Sequence, residues 1–204
     1  MTLEHPGWLF DFDGTLYRAK PVKLSMMGEV LLTGFMHLGT IKAFREEHEA
    51  LREEGGEYGP SPFAEQLERT ARRTGKSAAQ VESVVRRFMQ QKPCKWIKKH
   101  ARHELIDELR AHRAAGGKAA VVSDYPVQEK LSSLGIEDLF DAVIANGEPG
   151  GPTRLKPAPD GYLSAAESLS LEPRECLVLG DRDDADGEAA RRAGMAFRLI
   201  GAGS

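Results

Sequence analysis

Two cysteines in 204 residues, Cys94 and Cys176, are too few for a disulfide framework, and nothing around either suggests a metal cluster. Neither sign of charge dominates. The net charge is −3 with acidic and basic residues mixed, which gives no electrostatic case for nucleic acid or an acidic membrane as partner. Long apolar runs are missing too. The most apolar stretch, Met26 to Leu38, is interrupted by Gly28, Glu29, Thr33, Gly34 and His37, too short and too polar to span a bilayer. The opening MTLEHPGWLF lacks the charged region and apolar run of a secretory signal, so a cytoplasmic protein is expected. What is present, 41% hydrophobic and 29% charged residues, suits a globular chain with a real core. The length allows one domain, or one domain carrying a smaller insert.

Strand-like and helix-like segments alternate, but only after a gap. Trp8-Leu9-Phe10 reads as a short buried strand ending at Asp11. A long stretch without a comparable strand follows. Val22 to Glu54 reads as helix with a break near Gly34 or Gly39, and Phe63 to Arg73 as a second helix with one apolar face. Ser77 has the position of an N-cap for a third, through Val81, Val84, Val85 and Phe88. From His103 the pattern changes to helix and strand in alternation. The strands are KAAVVSD, DAVIA, ECLVLGD and AFRLI, and the intervening helices include HELIDELRAHRAAGG and EAARRAG. Such alternation predicts a parallel sheet covered on both faces. The parse is an α/β core of residues 1–18 and 101–204 interrupted by a helical insert, 19–100.

The first strand runs directly into Asp11-Phe12-Asp13-Gly14-Thr15-Leu16. Alternation of side chains places Asp11 and Asp13 on one side, at the edge where open parallel sheets bind ligands. Two carboxylates so close repel unless a cation or a shared proton relieves them. Two further strands end in polar residues at the same edge: Val121-Val122 runs into Ser123, and Leu177-Val178-Leu179 into Gly180-Asp181-Arg182-Asp183-Asp184-Ala185-Asp186. Another leads through a loop to Lys156. Taken singly, Ser123 reads as a turn serine, Lys156 as a solvated lysine and the acidic run as a surface turn. Their convergence on one rim marks a site.

These segments resemble the four motifs of the haloacid dehalogenase superfamily, in the family's order: DFDGTL at 11–16, VVSD at 121–124, LKPAPD at 155–160 and GDRDDAD at 180–186. The resemblance implies a Rossmann-like core with strand order 5-4-1-2-3 and an inserted α-helical cap. It also implies a Mg²⁺-dependent phosphohydrolase acting through an aspartyl phosphate. In that scheme Asp11 is the nucleophile and Asp13 the general acid and base. Asp11, the main-chain carbonyl of Asp13 and Asp181 hold Mg²⁺. Ser123, Lys156 and Gly14 bind the phosphate, and Lys156 also balances its charge. Asp186 orients Lys156 or a metal-bound water, with Asp184 the rival for that task. An acid at position 13 leaves phosphoester hydrolysis or a phosphomutase.

The insert lies between the first two motifs, where the family's helical caps lie, and implies a small-molecule phosphoester substrate. Lys92, Lys95, Lys98, Lys99 and Arg102 are expected to form a solvated helix face, and Met26 to Leu38 to pack within the cap rather than line the pocket or pair with a second subunit. A phosphomutase and a non-catalytic phosphate-binding module are the alternatives; the chain is expected to be a monomer or homodimer.

Overall fold

The computed structural model describes residues 3–201, so the outermost residues of the expected core lie outside the described part. Five parallel strands form one sheet: β1 (Gly7–Phe10), β2 (Lys118–Ser123), β3 (Ala142–Ala145), β4 (Cys176–Gly180) and β5 (Ala196–Leu199). Their spatial order is β3-β2-β1-β4-β5, the expected order read from the other edge. β1 is central, with Phe10 opposite Val121 on one side and Leu179 on the other.

Strands buried on both faces carry continuous apolar runs, and alternate residues here serve two different layers. Leu9, Ala120, Val122 and Val178 pack with Tyr162, Ala165, Ala189 and Ala190 of α8 (Asp160–Ser168) and α9 (Glu188–Ala193). Phe10, Val121 and Leu179 face the opposite layer, with Leu105, Ile106 and Leu109 of α6 (His103–Ala114) and Leu131 of α7 (Gln128–Leu134).

The elements between β1 and α6 are helices: α1 (Ala19–Thr33), α2 (Leu38–Glu54), α3 (Pro62–Thr74), α4 (Ala78–Val85) and α5 (Cys94–Lys99). Ser77 caps α4 as expected, in a reciprocal capping box with Gln80. A wider π turn, Arg86–Gln91, carries α4 on through Phe88. The helix expected over Val22 to Glu54 breaks at Gly34, where α1 and α2 meet at 105°. A Cβ at position 34 would stand 2.5 Å from the Phe88 ring, so only glycine lets the corner close on that side chain. Phe44, Phe63, Leu67, Val81 and Val85 form an apolar cluster among these helices. An antiparallel bridge between Tyr17 and Ala101 pins together the two points where the chain leaves and re-enters the sheet layers.

Two expectations change. Met26 to Leu38 is not packed away: Val30 is buried, but Met27, Leu31, Leu32, Phe35 and Met36 are more than half exposed. The bend at Gly34 turns that stretch into an outer corner, leaving Val30 inside. Arg102 is not part of a solvated face either. It is buried, and its guanidinium donates to the carbonyls of Gly14 at 3.5 Å and Gly201 at 2.9 Å. Lys92 and Lys95 pair with Glu29. Among the described residues no single helix is long and apolar enough to cross a membrane.

Candidate active site

Strand register assembles the site. Asp11 lies one residue beyond Phe10, while Ser123 and Asp181 lie two beyond the partners of Phe10, so three strand ends meet at one edge. Asp11 continues the ladder, its amide donating to the carbonyl of Leu179 at 2.8 Å. Gly14 then turns the chain with φ +104°, and a Cβ there would lie 2.0 Å from Asp181 Oδ2. Both the backbone angle and the close approach require glycine.

Lys156 is the hub. Its ammonium donates to Asp11 Oδ1 at 2.7 Å and to the carbonyl of Val122 at 2.9 Å, and stands 2.8 Å from Asp186 Oδ1. Burial alone would lower its pKa, but the charges of Asp11 and Asp186 hold it well above the usual lysine value. The other oxygen of Asp11 accepts from Thr15 Oγ1 at 2.9 Å, so the carboxylate is fixed from two sides. Burial pushes the Asp11 carboxyl up, to about 8, against the pull of Lys156 and with the help of Asp186 and Asp181. Burial and the charge of Asp186 raise Asp181 as well.

Asp186, rather than Asp184, stands with Lys156. Asp186 is buried and accepts from Tyr162 Oη at 2.8 Å and from the amide of Arg182 at 3.3 Å. Asp184 is exposed and bound to its neighbour Arg182, whose hydrogen bond lowers its pKa. Carboxylate oxygens of Asp11, Asp181 and Asp186 lie within 4.8 Å of one another. An all-oxygen set of this kind fits a hard divalent cation.

The Asp13 side chain is outside that group. It accepts from Lys130 Nζ at 2.8 and 2.9 Å and from Tyr17 Oη at 2.6 Å. Burial would raise Asp13, but the charge of Lys130 and these hydrogen bonds bring it below the usual carboxylate value. Ser123 is buried at the end of β2, its Oγ accepting from the amide of Tyr125 at 3.2 Å. Asp124 joins core to helices: Oδ1 accepts the amide of Lys156 at 3.2 Å and Oδ2 accepts from Arg52 of α2 at 3.0 Å. Arg52 also touches His48, which is stacked on Tyr125 with ring centroids 4.4 Å apart.

Thr15, Tyr17, Asp124, Lys130, Tyr162 and Arg52 were not singled out from the sequence. Thr15 and Tyr17 carried a signal, each four residues after an aspartate of the first motif, and Asp124 closes the second motif beside Ser123; the other three are brought in by tertiary packing. Above the acidic floor lies a cleft of about 570 Å³, lined by the floor residues and by α1, α2 and the π turn.

A family model described as haloacid dehalogenase-like hydrolase matches residues 7–194. The glyceraldehyde 3-phosphate phosphatase of Methanopyrus kandleri is 31% identical over 92% of this chain and 80% of its own length. A phosphoglycolate phosphatase of Cereibacter sphaeroides is 28% identical over 96% of this chain and 84% of its own. Among solved structures, the HAD-hydrolase YfnB from Bacillus subtilis bound to magnesium superposes with TM-score 0.64 at 16% identity. It covers 97% of this chain and 89% of the other, a likeness of fold.

Proposed function

We propose, for a chain that belongs to the haloacid dehalogenase-like hydrolases, that it hydrolyses the phosphomonoester of a small metabolite in two displacements at Asp11. That it is a phosphatase follows from the relatives and the family match. The observation that carries the finer reading is the Lys156 ammonium, placed between Asp11 and Asp186 with a second, separately held carboxylate two residues along at Asp13.

Asp11, fixed by Thr15 and Lys156, attacks phosphorus and is phosphorylated as the leaving oxygen departs. Asp13 gives that oxygen its proton, then takes one from the water that cleaves the aspartyl phosphate. Lys130 and Tyr17 support its ionised form, the one needed for the second displacement. Ser123, Lys156 and the backbone at Gly14 hold phosphoryl oxygens. Asp11, Asp181 and the main-chain carbonyl of Asp13 would hold Mg²⁺, with Asp186 behind Lys156. The cation supplies charge that keeps Asp11 ionised and steadies the phosphate.

Residues 1–18 and 101–204 serve in this reading as the catalytic core and 19–100 as a cap. The cap's own apolar cluster and the Tyr17–Ala101 bridge at its joints support that division. The test is phosphate release from a panel of phosphomonoesters with Mg²⁺, wild type against Asp11→Asn. Equal release from the two proteins would overturn the reading.

A further inference from the structure

The cleft above the carboxylates is walled by Met26 and Val30 of α1, Ile41 of α2, Val85 at the end of α4, and Phe88 and Met89 of the π turn. Val30, Ile41, Val85 and Phe88 are buried, and the glycine at position 34 is what lets the Phe88 ring stand there. The apolar lining also includes Met27 and Leu38, both exposed.

The polar groups of the roof are largely spoken for. His48 is bonded to Gln66 at 3.3 Å and Arg52 at 3.2 Å, and Arg52 holds Glu49 and Asp124. Lys23 and Arg45 line the cleft and are exposed. Their charge attracts a phosphate dianion, while the side chains of Val30, Ile41, Val85 and Phe88 offer a hydroxyl nothing to bond. A leaving group rich in hydroxyls would lose water against this wall and find few partners in return. An apolar body would displace water at a gain.

We propose that the leaving group this site accepts is an alkyl or aryl body on the phosphate, not a polyhydroxylated sugar. This rests on the phosphatase reading and names its substrate class. The experiment measures kcat/KM with Mg²⁺ for ethyl, butyl and hexyl phosphate beside glycerol and hexose phosphates. Acetyl phosphate, wild type against Asp11→Asn, serves as a probe of the phosphoenzyme chemistry with almost no leaving-group body. The expected result is a rise of about threefold per methylene from ethyl to hexyl, a little under full burial of each CH₂. Every sugar phosphate should fall below butyl phosphate.

Met26→Gln and Met89→Gln, checked by thermal melting, should each cut the hexyl-to-ethyl ratio at least about fivefold, the loss expected when a wall that buried about one or two methylenes turns polar. A flat alkyl series, or a hexose phosphate better than butyl phosphate, overturns the inference while Asp11-dependent cleavage of acetyl phosphate leaves the phosphatase reading standing. Failure of acetyl phosphate cleavage overturns both.

Discussion

At the floor of the cleft charged and polar side chains hold one another: Lys156 on Asp11 and Asp186, Lys130 and Tyr17 on Asp13, Thr15 on Asp11. Along the roof the contacts are between apolar side chains such as Val30, Ile41 and Phe88, and the hydrogen bonds gather at one end, where Arg52 reaches Asp124. The floor is held by strand register and charge, which tolerate almost no substitution. Apolar packing holds the roof, and many side chains of similar volume satisfy it. On the proposed reading chemistry and selectivity are built from different materials, and variants in the two regions should fail differently. Floor variants should lower turnover of every substrate together, and roof variants should reorder the substrates.

The largest effect should come from Asp11→Asn or from chelating the metal with EDTA. Either should lower turnover by about 10⁴-fold or more for all esters alike. The amide is isosteric and relieves the crowding of Asp11 with Asp181 and Asp186, so the melting temperature should be equal or higher. A substrate-dependent loss would break the separation of floor from roof. Next is Gly14→Ala, which needs a φ of +104° and room 2.0 Å from Asp181 Oδ2. Displacing Asp181 by even ~1 Å should cost about 10²-fold in kcat/KM. Near-normal rates would show that the turn at 14 does not set the metal site.

Lys130→Met sharpens the contrast within the floor. It removes the charge that opposes burial at Asp13, so the Asp13 pKa should rise and the acid limb of the kcat profile, set by the second displacement's need for ionised Asp13, should move to higher pH. The loss at neutral pH should be roughly tenfold, part of what an acid–base group contributes. An unmoved profile would separate Lys130 from the proton transfer.

What was legible in the sequence follows the same division. The floor could be read because each motif is a strand end and its residues are contiguous: DFDG, VVS and the run from Asp181 to Asp186. The sheet order came with the family resemblance rather than from a local signal, and the helix break was legible only as lying near Gly34 or Gly39. Lys130 was not, since nothing in QEKLSSL shows that α7 aims it at a carboxylate 117 positions earlier in the chain. Arg52 sits in HEALREE, which reads as a solvated helix face until the fold places Asp124 beside it. The stretch from Met26 to Leu38 misled, because apolar content predicts burial but cannot foretell a 105° corner that turns half of it outward.

The smallest effect concerns the strap between the two regions. His48 is 1% exposed, lies between Gln66 and Arg52, and stacks on Tyr125, so it ties α2 to the loop after β2. Burial holds its imidazole below the usual 6.5; the charge of Asp124 opposes this, and Arg52 adds to it. In the unfolded chain the same ring takes up a proton near 6.5. The stability owed to the neutral ring is therefore fully present above 6.5 and declines as pH falls below it toward the depressed folded value. Thermal melts from pH 7.5 to 5 should show the wild type losing stability more steeply below 6.5 than His48→Phe, which keeps the stacking but cannot titrate. The variant should be less stable at pH 7.5, where Gln66 and Arg52 lose a partner, and the gap should close by a few degrees on acidification. Parallel curves would mean that the strap does not titrate.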